Sequence, residues 1–223
     1  MSYGELNPEP SCVGLWHFNG DANDSSGNGH HGTVYGATLI NTGRFGQCYL
    51  FNGISNYITV PDSDAFTTNA GTILTWIYLV GWGENNYGRI IQHVSFVPAN
   101  GIELYVDGEN TCLIGSIRGN DVQNEDVVSN VGSIALGVWY FVGLTWDGSY
   151  IRAYINGIGT TKAQTVNLGN ANCLFVIGKR SYSDARYFDG KIEEMGFYNR
   201  AWSAEEIRQK YAEMQGAYGI IEG

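Results

Sequence analysis

Two dipeptides, Asp147-Gly148 and Asn156-Gly157, punctuate the stretch WYFVGLTWDGSYIRAYING from Trp139 to Gly157. Both are pairs that accept the positive φ angles of tight hairpin turns, and both follow runs of aromatic and β-branched residues. The spacing predicts that Trp139 to Trp146 pairs with Tyr150 to Ile155, and that the chain then reverses again. A chain punctuated in this way builds antiparallel sheets.

The rest of the sequence reads the same way. Gly71 to Val80 (GTILTWIYLV) is a nearly continuous run of β-formers and suggests a central strand, with Trp76 and Tyr78 on one face. Further strands are expected over Val13 to Phe18, Thr33 to Ile40, Gln47 to Phe51, Tyr57 to Val60, Arg89 to Phe96, Ile102 to Val106, Cys112 to Arg118 and Leu174 to Gly178. GNDVQNEDVVSN after Arg118 reads as an external loop. Glycine supplies 31 of 223 residues and tyrosine 15, against 3 methionines, which suits tight turns and half-buried strand positions. With no repeat or linker, the expected organisation is an arm over residues 1–11, one domain over 12–215 and a tail over 216–223.

Near the C-terminus, FDGKIEEMGFYNRAWSAEEIRQKY (Phe188 to Tyr211) predicts a last strand followed by a helix. Ser203 and Glu206 have the spacing of a capping box; Ile207, Tyr211 and Met214 fall on one helical face, and Gly216 is the expected stop.

This stretch resembles the laminin-G-like or concanavalin A-like superfamily in its bacterial and viral form. So do GLWHFNGDANDSSGNGHHGT at Gly14 to Thr33, the hairpin at Trp139 to Gly157, and Phe51-Asn52-Gly53 between them. The resemblance covers roughly residues 12–212. It implies an all-β fold, a two-sheet antiparallel jelly-roll sandwich with a short C-terminal helix. It also implies binding of carbohydrate or protein, often with a structural calcium ion, and it does not imply an enzyme.

The loop NGDANDSSGNGHHG concentrates hard oxygen donors at Asp21, Asn23, Asp24 and Asn28, with glycines that let carbonyls turn inward. Its alternative reading is a hydrogen-bonded Asx loop that needs no metal. In the family such a loop approaches an acidic residue on the last strand. Calcium is therefore expected at Asp21, Asp24 and Glu193, although the family more usually has Asp before Glu there.

Twelve Lys and Arg against 22 Asp and Glu give a net charge of -10, which repels nucleic acid and anionic membranes. No apolar run approaches the ~20 residues of a membrane helix, and Met1 to Pro10 shows no signal peptide. Cys12, Cys48, Cys112 and Cys173 lack metal-ligand spacing; Cys12 and Cys48 either pair or stay as buried thiols.

Glu193 and Glu194 are consecutive, so on a regular strand they face opposite sides. No other catalytic constellation is visible, and catalysis is not expected. The expected function is a non-catalytic module recognising a glycan at a cell or particle surface, extracellular or on a virion. Trp82, Tyr87, His93, Arg118, Tyr182 and Tyr187 are the candidate ligand residues, because they lie in or near loops or polar segments. Lys179, Arg180 and Arg186 reverse the local charge beside them, which suits an acidic sugar or a neighbouring subunit. The alternative is a virion structural protein, a capsid decoration or fibre-associated subunit whose tails reach neighbours in a homo-oligomer or surface lattice.

Overall fold

The computed structural model describes residues 4–96, 99–119, 122–169, 171–181 and 185–221. Two antiparallel sheets face each other. The eight-stranded sheet runs β13 (Ile158–Ala163), β12 (Tyr150–Ile155), β11 (Trp139–Trp146), β6 (Gly71–Leu79), β15 (Asp189–Tyr198), β4 (Cys48–Asn52) and β3 (Thr38–Ile40). Its remaining strand, β1 (Cys12–Trp16), pairs with β15 beyond the end of β4. The seven-stranded sheet runs β10 (Val122–Val128), β9 (Cys112–Gly119), β8 (Ala99–Asp107), β7 (Arg89–Phe96), β14 (Phe175–Ile177), β5 (Tyr57–Val60) and β2 (Thr33–Tyr35). This is the jelly-roll sandwich expected from the sequence.

Both turn dipeptides act as read. Asp147 Oδ1 accepts from the amides of Ser149 and Tyr150, at 3.0 and 2.8 Å, and β11 pairs with β12 up to Trp146 and Ile151. Asn156 and Gly157 both have positive φ, and the chain reverses into β13, a strand not singled out from the sequence. The run Thr33 to Ile40 is not one strand. It breaks at Gly36 (φ 71°), and the chain passes there from the seven-stranded sheet into the eight-stranded one. The segment expected as an external loop after Arg118 forms edge strand β10. Its polarity reflects an edge position rather than a lack of pairing.

Between the sheets lies an aromatic centre. Phe66 sits 5.1 Å from Phe175 and 5.2 Å from Phe197, and Trp16 stacks on Phe175 at 5.7 Å. All four side chains are fully buried. The indole groups of Trp16 and Trp146 donate to the carbonyls of His30 and Thr68, at 2.8 and 2.7 Å, so neither buried N–H is orphaned. All four cysteines are free thiols.

A second apolar cluster covers the outer face of the eight-stranded sheet. Leu74, Trp76, Phe141 and Tyr154 meet Ile207 and Met214 of helix α1 (Ala204–Ile221). The helix opens with the predicted reciprocal box: Glu206 N donates to Ser203 Oγ at 3.2 Å, and Ser203 N donates to Glu206 Oε2 at 2.7 Å. It does not stop at Gly216 but continues to Ile221. An internal glycine weakens a helix by about 1 kcal/mol without blocking it, and no proline follows to end it.

The N-terminal segment, expected as an arm, lies on its own domain. Leu6 is buried in the outer cluster, and Glu9 accepts from the Trp202 indole at 3.2 Å. Ser203→Ala should lower stability by about 1 kcal/mol, a fall in melting temperature of about 2–4 °C for a domain of this size. Thermal melts followed by circular dichroism would show it.

Candidate functional site

A groove of about 490 Å3 opens on the outer face of the seven-stranded sheet, where β2, β5, β14 and β7 lie side by side. Tyr35 and Tyr57 are direct partners in the β2–β5 register, so their side chains leave the sheet on one face. Their rings stack, with centroids 4.6 Å apart and planes 10° apart. Tyr35 is 45 % and Leu174 48 % exposed, an apolar surface facing solvent.

The far wall follows from the end of β14. Gly178 has φ 86°, and a side chain there would strike the Phe51 ring. That turn carries Lys179 over Tyr57, its Nζ 3.8 Å from the ring centroid. Ser181 also lines the groove, its hydroxyl held on Gln92 Oε1 at 2.8 Å.

Gln92 links the groove to a buried polar row across the sheet. Gln92, Glu103 and Ser116 are successive register partners, so they share a face. Gln92 Nε2 donates to Glu103 Oε1 at 2.7 Å, and Arg89 and Arg118 each lie 3.3 Å from that carboxylate. The Arg89 guanidinium also rests on the Tyr105 ring, 3.6 Å from its centroid. Arg118 is thus committed to neutralising Glu103 rather than presented as a ligand residue.

His93 is a second correction, because it lies inside the sandwich. It is 1 % exposed, 5.8 Å from Phe66 and 6.1 Å from Phe175. The alternation of β7 aims it inward, which its nearness to polar residues in sequence concealed. Its Nδ1 lies 3.7 Å from Cys173 Sγ, and its Nε2 lies 3.8 Å from Asp62 Oδ1. This Cys-His-Asp alignment is invisible in the sequence. Burial pushes the Cys173 thiol up to about 12 and His93 below its ordinary value, so the pair is a neutral thiol beside a neutral imidazole. It offers no thiolate nucleophile.

Trp82, Tyr87 and Tyr187 do not line the groove. Trp82 packs against the inner core and beneath Gly108, and Tyr87 packs against Tyr105, Cys112 and Ile114 with Arg186 over its ring. Tyr187 is half-buried, its carbonyl taken by the Glu84 amide. Tyr182 lies outside the described residues. The groove's tyrosines were hidden within short strands that the sequence assigned to structure; Lys179 alone stood out, through its basic loop.

The residues expected to hold calcium have other occupations. Both Asp24 oxygens are filled: Oδ1 accepts from the amides of Leu15 and Ser26, and Oδ2 from the Ser26 hydroxyl and the His30 amide, all at 2.8–2.9 Å. Burial opposes the Asp24 charge, but these donors outweigh it and hold its pKa below the usual carboxylate range. Asp21 is exposed and accepts from Asn23. Glu193 is 2 % exposed and accepts from the amides of Arg44 and Phe45. The loop is therefore a hydrogen-bonded Asx loop in which Asp24 replaces a cation as the organiser, and these carboxylates do not fit a calcium site.

Glu193 and Glu194 do not face opposite sides. The register of β15 against β6 shifts between Glu193 and Gly196, and Glu194 takes φ 54° there. This bulge keeps both carboxylates on the outer side. Glu194 accepts from the Leu6 amide at 2.8 Å and pairs with His17 Nδ1 at 2.9 Å. Glu5, His17 and Glu194 bring their ligating atoms within 4.8 Å of one another.

A sequence profile described as the concanavalin A-like lectin/glucanases superfamily matches residues 52–208, and the chain belongs to that family. Comparison with curated proteins gives no match. Among solved structures, the binding domain of Paraclostridial Mosquitocidal Protein 1 superposes with a TM-score of 0.72 at 15 % identity, over 90 % of this chain and 52 % of that one. The binding domain of botulinum neurotoxin DC, in complex with SialylT, gives 0.70 at 16 % over 92 % and 51 %. Domain 4 of an extracellular arabinanase from Geobacillus stearothermophilus, in complex with arabinotriose, gives 0.62 at 18 % over 90 % and 98 %. The chain thus spans about half the length of the toxin binding domains. At these identities the likeness establishes the fold. No helix among the described residues is long and apolar enough to cross a membrane.

Two outcomes follow from the buried carboxylates. Asp24→Ala orphans several donors and should cost about 3 kcal/mol, with the same fall in melting temperature in chelator as in calcium. Burial raises Glu193 to about 7 from its ordinary 4.5, so the folded state binds the proton more tightly than the unfolded chain. Stability from this group is full below pH 4.5 and is lost as pH rises through about 7. His17 acts in the same direction: burial works against its charge, but Glu194 outweighs that and raises its pKa. Melting temperature plotted against pH should fall less steeply across this window for Glu193→Gln than for the parent chain.

Proposed function

We propose that this chain is a non-catalytic carbohydrate-binding module, and that sugar rings lie along the groove of Tyr35, Tyr57 and Leu174. The observation that carries this reading is the stacked, solvent-facing tyrosine pair in a groove otherwise edged by Ser95, Asn172 and Ser181. Aromatic faces pack on sugar C–H surfaces, while hydroxyl and amide groups fix orientation. Edge strand β2 and its neighbour β5 hold the rings on a rigid sheet, so little ordering is lost on binding.

The described lining contains no Asp or Glu, so hydrolysis by paired carboxylates has no residues to use there. Two neighbours of the same fold are described in complex with arabinotriose or with SialylT, which supports the reading by analogy of fold. A glycan at a cell or particle surface is the partner this module would meet.

The test is a glycan array followed by titration of the best hit. Tyr35→Ala and Tyr57→Ala should each weaken that hit about tenfold, with melting temperatures close to the parent's, and Tyr187→Ala should leave affinity unchanged. Equal affinity in all three variants would remove the groove from consideration.

A further inference from the structure

We infer that the groove's ligand is an anionic sugar whose carboxylate or sulfate group is received by Lys179; this rests on the groove being the glycan site. Lys179 is the single ionic side chain among the described residues lining it. Its ammonium nitrogen lies 3.8 Å from the centre of the Tyr57 ring, and the residue is half-buried at the wall. No carboxylate among the described residues lies within ion-pair distance of it.

That is unusual on this protein. Acidic residues outnumber basic ones 22 to 12, and six other cations meet carboxylates. Arg89 and Arg118 meet Glu103, Arg152 meets Asp147, Arg200 meets Glu206, Arg208 meets Glu205, and Lys210 meets Glu213. Lys162 and Lys191 donate instead to the carbonyls of Asp126 and Thr42. Lys179 has three N–H donors and, in the described structure, one aromatic ring.

Burial also holds the Lys179 pKa below its ordinary value. A ligand carboxylate or sulfate would pair with the Lys179 ammonium on this lining. The aromatic contact also orders the ammonium before binding, which reduces the entropy lost when the ion pair forms. The net negative charge of the chain repels anions at long range, so a preference for an anionic sugar must come from this short-range contact.

The experiment uses the full chain and two matched pairs of oligosaccharides, in which charge changes while the sugar backbone stays the same. One pair is oligogalacturonate and its methyl ester; the other is sulfated dextran oligosaccharide and plain dextran oligosaccharide. Isothermal titration should give about tenfold tighter binding to the acidic member of at least one pair. The responsive pair tells carboxylate from sulfate. Lys179→Gln should abolish the preference, so that acidic and neutral members bind that variant equally, and Lys179→Arg should keep most of it. Melting curves confirm that each variant is folded.

Neutral members binding as tightly as acidic ones, no binding to either acidic member at millimolar concentration, or a preference that survives in Lys179→Gln would each overturn the inference. Binding weakened by Tyr35→Ala but indifferent to charge would leave the groove standing as a neutral-sugar site. Binding indifferent to Tyr35→Ala would remove the groove itself.

Discussion

The pairing of β15 in the middle of the eight-stranded sheet holds the molecule together. It pairs with β6 along one edge and, along the other, first with β4 and then with β1. The bulge at Glu194 marks the point where that second partner changes. It turns two successive carboxylates outward, and each collects a separate piece of chain: Glu193 the amides of Arg44 and Phe45, Glu194 the amide of Leu6 and the ring of His17. Buried carboxylates are tolerated there because backbone donors and a histidine satisfy them. The N-terminal segment thereby becomes part of the fold. The described part of this segment, from residue 4 on, is therefore packed on its own domain.

The opposite sheet is left with an outer face that no helix covers. Part of it is closed by its own polar chemistry, with Glu103 gripped by Arg89, Arg118 and Gln92. Toward β2 and β5 the row changes from charged to aromatic, and the face opens into the groove. The two regions share Gln92, which holds Ser181 on the groove side and Glu103 on the other. The network links the polar row to the part of the sheet on which the tyrosines stand.

Much of the fold was legible from local chemistry. Asp147-Gly148, Asn156-Gly157 and the Ser203/Glu206 box act within a few residues, so residue order alone names their partners. The groove was less legible for the converse reason. Trp82, Tyr87, His93 and Arg118 have loop or polar neighbours in sequence, yet each packs against a residue distant in the chain or is turned by the alternation of its strand. Asp24 shows the same limit: its spacing suits calcium, but Leu15 and His30 supply the donors instead of requiring a metal. Tyr35 and Tyr57 look like ordinary strand residues until the β2–β5 register places one ring on the other.

The motifs of the chain carried the resemblance that implied a two-sheet sandwich; sequence by itself determined the strand-and-turn grammar, the capped helix and the acidic surface. These depend on backbone preference, periodicity and composition, which act locally or add up over the chain. Tertiary structure alone decided the crossing between sheets at Gly36, the bulge at Glu194, the inward turn of His93 and the groove in which Lys179 lies over Tyr57. Each of these depends on which distant strand becomes a neighbour and in what register. That choice is made by burying the whole apolar core at once, and no single stretch of the chain contains it.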